Sequence, residues 1–399
     1  GAGSAAGLLL GGVLTTYLSW RWVLFVNVPI GIVVAFAATR VLNESPRRPG
    51  RIDWAGAITG TGGIALLVYG LSKATTGADG VSHWGDAQVL ASLAVSVVLL
   101  VSFVLIEMRS SHPLLPMRVL ADRNRSGSYL IMLCIATGLF GLFFFLTLFI
   151  QNVLGYSAIR TGVAYLPFAI GVVVASALAS PLVARIGPRP LILVGSAMVS
   201  GGMFWFSRLT EHAGYFSQLL GPQLVSSFGL GFVFVPLSLV ALHKVAERDS
   251  GVASSLLNAG QQVGGAIGLA LLGTVAWTTV AHSVRTQITH AVAAGQPLPK
   301  PGAPPPESIY RHALTVGFSR GFVVAAAIAL LALLIGIVTI RVSRQELAGA
   351  APEPQEVAPQ PTAPQPRQAP QPETVQPETL QSQEDRAALA AAARPCRMC

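Results

Sequence analysis

Long apolar blocks alternate with short polar connectors from the start of the chain to about residue 341. Ten blocks approach or exceed the roughly 20 residues that cross the hydrocarbon core of a bilayer. They run at about 1–18, 22–39, 54–72, 87–106, 128–150, 161–184, 190–207, 215–242, 253–281 and 321–340. None of the ten contains Asp, Glu, Lys, Arg or His. A charge at the centre of a membrane helix costs roughly 2.5 kcal/mol or more, so the connectors carry the charge instead. The pattern predicts an all-α integral membrane protein of about ten transmembrane helices.

Composition supports that reading. Hydrophobic residues make up 52% of the 399 residues, charged residues 11%, and the mean hydropathy is +0.61. The net charge of +9 would suggest nucleic acid in a soluble protein. Here the basic residues sit between apolar spans, so the expected partners are the lipid bilayer and a small-molecule substrate, with no nucleic acid. Alternate connectors and the C-terminal tail hold 18 of the 26 Lys and Arg residues, and the opposite connectors hold 8. The positive-inside rule then places both ends of this chain in the cytoplasm. The connector 282–316, with Pro304, Pro305 and Pro306, is expected outside the cell as a loop.

From 342 to 399 the chain turns rich in Pro, Gln, Glu and Thr, with too little apolar mass to fold. A disordered tail is expected, and a docking tail that favours polyproline II stands as the other reading. Cys396 and Cys399 form a C-x-x-C there, too few ligands for a metal site. Neither a metal nor an organic cofactor is expected. The phosphate-binding, H-E-x-x-H and Ser/His/acid signatures of enzymes are absent from the sequence.

Small and polar residues inside the spans carry the specific signals. Gly3, Gly7, Gly11 and Gly12 lie on one face of the first span and would let a neighbouring backbone come close. The next span begins Trp20-Arg21-Trp22, an interfacial belt, and continues through Asn27 to Pro29, where a kink is expected. Gly264, Gly265 and Gly268 share one helix face and fit a tight helix–helix seam. Asn258, Gln261 and Gln262 are uncharged polar groups in an apolar helix. They either line a substrate path or bond neighbouring helices near the membrane surface. Phe143, Phe144, Phe145 and Phe149 spread over nearly two turns. At least two should face lipid, leaving one or two for a cavity wall that suits bulky apolar cations.

The glycine ladder with the Trp-Arg-Trp…Asn-Val-Pro-Ile-Gly run resembles the fifth and sixth spans of the major facilitator superfamily, in its 14-span drug:proton antiporter branch. The branch's antiporter motif reads G-x(3)-G-P-x-x-G-G, with Leu8 standing here in place of its proline. Three later segments are similar to the same branch: Phe143–Ser157 with Thr161, Gly162, Leu166 and Pro167; Arg185-Ile186-Gly187-Pro188-Arg189-Pro190; and Ser250–Gly268.

The resemblance implies spans five to fourteen of that architecture. Residues 1–41 would close an N-terminal bundle, 42–127 would hold two extra central helices, and 128–341 would be a six-helix bundle. The first four spans would precede Gly1. It also implies drug export by proton antiport and alternating access. Phe144, Phe145, Gln151, Asn258, Gln261 and Gln262 would be on the substrate path, and Arg185, Gly187 and Arg189 in a cytoplasmic gating turn. Ala184 occupies the acid position of that turn, so Arg185 serves equally as a topological anchor. The coupling carboxylate would lie upstream, and residues 1–399 alone are not expected to couple a proton gradient to export. A metabolite transporter on the same fold and a non-transporting remnant are the alternatives.

Overall fold

The computed structural model describes residues 2–41, 53–74, 81–110, 113–293, 306–342 and 344–348. They belong to one compact unit, residues 1–351. The tail beyond 348, with Cys396 and Cys399, lies outside the described residues.

The elements in chain order are all helical: α1 Ala2–Tyr17, α2 Trp20–Phe25, α3 Asn27–Val41, α4 Trp54–Ala74, α5 Ala87–Arg109, α6 Met117–Ala121 and α7 Arg123–Leu148. After a π-helical turn, Phe149–Val153, come α8 Ala158–Ala164, α9 Leu166–Ile186 and α10 Pro188–Phe206. A second π-helical turn, Tyr215–Leu219, leads into α11 Leu220–Leu242, then α12 Ser250–Ala293, α13 Glu307–Thr339 and α14 Arg344–Ala348. Among the described residues nine helical runs are long and apolar enough to cross a membrane. The first of the ten expected spans, α1, has 16 residues and falls short of that length.

α7 is the centre of the main bundle. It is buried over most of its length, against α12 on one side and α13 on the other. α13 continues to α10, α10 to α11, and α11 to α9. Small residues set these distances. A Cβ added at Gly264 would fall 2.4 Å from the Leu133 carbonyl oxygen, and one at Gly268 2.2 Å from that of Thr137. Those are backbone atoms of α7, so the two helices meet main chain to main chain. Thr137 then donates across the seam to the Gly264 carbonyl at 3.0 Å. The α10–α11 seam is reciprocal: the Cβ positions of Gly195 and Gly229 each lie 2.7 Å from the other's carbonyl oxygen. Without hydrophobic drive inside lipid, such close packing is what holds membrane helices together.

The front of the chain is built differently. α2 and α3 have no buried residue, and α1 touches the bundle through α8 and α9. The break between α2 and α3 falls at Val26, ahead of Pro29, and the Asn27 amide donates to the carbonyls of Val23 and Leu24 there. The hairpin of α4 and α5 leans on α12. Trp84 Nε1, between those two helices, donates to Thr274 Oγ1 at 2.8 Å.

Three expectations need correction. The connector 282–316 is helical at both ends, because α12 runs on to Ala293 and α13 starts at Glu307. At 1.5 Å per residue the 44 residues of α12 span about 66 Å, far more than the ~30 Å hydrocarbon core. Charge stopped the apolar pattern near 281, but charge does not stop a helix that has left the membrane. Residues 294–305, which include Pro304 and Pro305, lie outside the described residues. Helix α7 begins at Arg123 rather than 128, with the Asp122 carboxylate capping it at the Arg125 amide, 2.9 Å away. Residues 344–348, assigned to a disordered tail, form α14 against the end of α9.

Candidate functional site

Two of the cavities beside α12 divide its polar trio. The first, of about 430 Å³, is lined by Met132 of α7, by Phe234, Ser238 and Leu242 of α11, and by Ser254, Leu257, Asn258 and Gln261 of α12. The second, of about 420 Å³, is lined by Val68 and Ser72 of α4, Phe140 and Phe144 of α7, and Gln262, Gly265, Ala266 and Leu269 of α12. Gln261 and Gln262 part company because successive helical residues point about 100° apart.

The first cavity has apolar walls and neutral polar atoms. Its hydroxyls turn back to their own helices: Ser238 donates to Phe234 O at 2.8 Å and Ser254 to Gly251 O at 3.0 Å. The Asn258 amide N–H does the same with Ser254 O at 3.2 Å. Such back-bonding uses neither Asn258 Oδ1 nor the hydroxyl lone pairs. Among the described residues no charged side chain lines the cavity. Its volume lies within the roughly 300–1,000 Å³ typical of small-molecule sites, and its few polar groups can orient a guest.

The other expected path residues do not join this cavity. Phe145 is 1% exposed and packs on Phe318, ring centres 5.5 Å apart, so it is core. Phe144 stands edge-on to Phe145 and reaches the second cavity. Phe149 is buried, and Phe143 packs between Tyr165 and Phe168. Of the four phenylalanines only Phe144 is exposed, against the two or more expected to face lipid. Gln151 is exposed in the π-helical turn at the far end of α7. Sequence reasoning missed Ser238 and Ser254. Their signal was available, as hydroxyls within apolar spans, but helices offer every serine an intrahelical acceptor.

The glycine ladder packs at one point among those whose surroundings are described. A Cβ at Gly12 would lie 3.2 Å from the Ala158 carbonyl oxygen, whereas Gly7 and Gly11 have nothing within 4 Å. In the Arg185–Arg189 turn, Gly187 has φ +85° and ends α9, a conformation glycine adopts without strain. Arg185 is exposed. Arg189 reaches the last turn of α13, donating to Ile337 O at 3.3 Å.

A second cluster, at the arginine-rich end, went unread. Arg118 of α6 grips Asp249, just before α12, through two bonds of 2.9 and 3.1 Å. The Arg118 guanidinium holds the Asp249 carboxyl below the usual carboxylate range. Buried Arg125 lies beside it, donating to the carbonyls of Val119 and His243 at 3.2 and 3.3 Å. The cluster ties α6 to the connector between α11 and α12.

Membrane-length helices around a cavity of small-molecule size define a multi-pass membrane protein. The sequence profile of the Major Facilitator Superfamily matches residues 1–269, and the chain belongs to that family. It is 37% identical over 333 residues to the puromycin resistance protein pur8 of Streptomyces alboniger, across 82% of this chain and 63% of that one. It is 40% identical to the cephamycin export protein CmcT of Amycolatopsis lactamdurans, across 72% and 59%. It is 29% identical to the tetracenomycin C resistance and export protein of Streptomyces glaucescens, across 87% and 68%. The chain thus spans about six-tenths of the length of the first two relatives.

Proposed function

We propose that this chain belongs to an exporter of small, largely apolar antibiotic-like molecules, driven by proton antiport through alternating access, with its arginine-rich end in the cytoplasm of the plasma membrane. The observation that carries the reading is the neutral cavity between α7, α11 and α12, with Asn258 and Gln261 on its wall. An uncharged polar lining accepts guests with scattered hydrogen-bonding groups and is indifferent to the details of their skeletons. Three relatives whose names concern puromycin, cephamycin and tetracenomycin C support antibiotic-like guests. The cavity sits between the last turns of α11 and the first turns of α12, at the end rich in arginine. A cytoplasmic guest would enter there.

We read the site as one for transport rather than catalysis, with the proton gradient as the energy source and no bound cofactor. The test is a deletion of the gene encoding this chain, followed by accumulation of a panel of apolar antibiotics and dyes with and without a protonophore. Export predicts higher accumulation on deletion, reversal on complementation, and weaker reversal with Asn258→Leu plus Gln261→Leu. Accumulation that ignores both deletion and protonophore would overturn it.

A further inference from the structure

We propose that the arginine-rich end of the bundle, where α7, α10 and α13 meet, holds the headgroup of an anionic phospholipid. Three arginines at this end are exposed, Arg123, Arg189 and Arg341. Arg123, at the start of α7, donates to Val338 O at 2.5 Å, and Arg189, at the start of α10, donates to Ile337 O at 3.3 Å. Those carbonyls are neighbours in the last turn of α13, so the two guanidinium groups bond adjacent backbone oxygens. Arg341 follows directly, its backbone N–H held by Asn124 Oδ1 at 2.7 Å. Each guanidinium has five N–H donors, and the bonds described for Arg123 and Arg189 use one apiece.

Among the described residues no carboxylate pairs with any of the three. Asp122 caps α7 instead. Two guanidinium groups, with Arg341 next along the chain, therefore stand at one end of α13 with N–H donors beyond those bonds. The tetrahedral oxygens of a phosphate accept several such bonds and complement the planar guanidinium fork.

The adjoining surface decides between a lipid and a free anion. On α13, Leu331, Leu334 and Val338 are 49%, 51% and 57% exposed. Their spacing of three and four residues sets them in one apolar stripe running up from the arginines. A cationic end joined to an aliphatic stripe matches a phosphodiester joined to an acyl chain. Cationic sites between membrane helices favour anionic headgroups on the same physical ground. This site is separate from the cavity of α7, α11 and α12 and does not depend on what is transported.

The test uses the purified full chain in neutral detergent, with lipid retention read by native mass spectrometry and thermal midpoint read in parallel. Phosphatidylglycerol, phosphatidylcholine and inorganic phosphate are the three probes. Phosphatidylglycerol should be retained and should raise the midpoint, while the other two should do neither. Arg123→Gln and Arg189→Gln should each weaken its retention about fivefold, and Arg208→Gln, at the other end of α10, should leave it unchanged. Equal retention of phosphatidylcholine by the unmodified chain overturns the proposal without recourse to any variant. So does full competition by inorganic phosphate, which would reduce the site to a free-anion site, and so does undiminished binding in both arginine variants.

Discussion

The chain carries two glycine clusters on membrane helices, and the structure treats them in opposite ways. Gly264 and Gly268 press against the α7 backbone so closely that a single added carbon would fall inside van der Waals contact of carbonyl oxygens. Gly7 and Gly11, spaced just as regularly on α1, meet nothing within 4 Å. Spacing alone says that a helix face is smooth. Whether the smooth face is a seam depends on a partner, and the α12 cluster has α7, whose Thr137 answers with a hydrogen bond across the join.

The difference can be broken at its strong end first. Gly268→Ala puts a Cβ 2.2 Å from the Thr137 carbonyl oxygen, and main chain cannot swing aside as a side chain can. Overpacking of a tight core costs about 1–3 kcal/mol. We expect a marked fall in thermal midpoint in detergent, read by tryptophan fluorescence or by loss of monodisperse elution. Thr137→Val removes the bond to Gly264 O while preserving shape. Hydrogen bonds between membrane helices average about 0.6 kcal/mol, so the loss should be smaller by a clear margin. A Thr137→Val effect as large as that of Gly268→Ala would mean that polar bonding, and not close packing, holds the α7–α12 seam.

Nearly all of the helical architecture was legible because lipid imposes a long, visible period of apolar residues on sequence. The errors fell where that solvent ends. Beyond 281 the residues of α12 become polar, so the apolar signal stopped while the helix continued to Ala293. Candidate site residues were legible in kind but not in facing. Asn258 and Gln261 reach one cavity and Gln262 another, and Phe145 is sealed in the core behind Phe144. A one-residue step rotates a side chain by about 100°, which hydropathy does not record when lipid, cavity and core are all apolar. Arg118 and Arg125 were visible only as charges that set topology. Their partner Asp249 lies 131 residues from Arg118, and nothing in either segment announces the pair.

That pair gives the next test. Asp249 is held below the usual carboxylate range by its bond to Arg118. A group whose folded value is depressed stabilises above its unfolded value, and that contribution is lost as pH falls through the folded value. The tie should therefore be intact from pH 7 to 5 and weaken only below about pH 4. Protection from hydrogen exchange in the stretch 113–122, corrected for the intrinsic pH dependence of exchange, should stay high across the upper range and fall in the acid one. Asp249→Asn should lower it across the upper range and add little in acid. Rapid exchange in the unmodified protein at pH 7 would show that the latch does not order α6. The effect on global stability should be slight, since Arg118 is more than half exposed and solvent screens the pair.

The smallest effect is expected at the weak end of the opening contrast. Gly7→Ala and Gly11→Ala add a methyl group into open space and favour the helix, since alanine is the better helix former by about 1 kcal/mol in water. Thermal midpoints should hold or rise slightly. Gly12→Ala lies between the extremes, because its Cβ would sit 3.2 Å from the Ala158 carbonyl oxygen and must push α1 off α8 by a few tenths of an ångström. The series Gly7, Gly12, Gly268 thus ranks three glycines by the distance to the nearest backbone oxygen. If Gly7→Ala or Gly11→Ala destabilised the protein as Gly268→Ala does, α1 would have to press that face against chain other than the described residues. The smooth face of α1 would then be a seam after all, and the contrast between the two clusters would vanish.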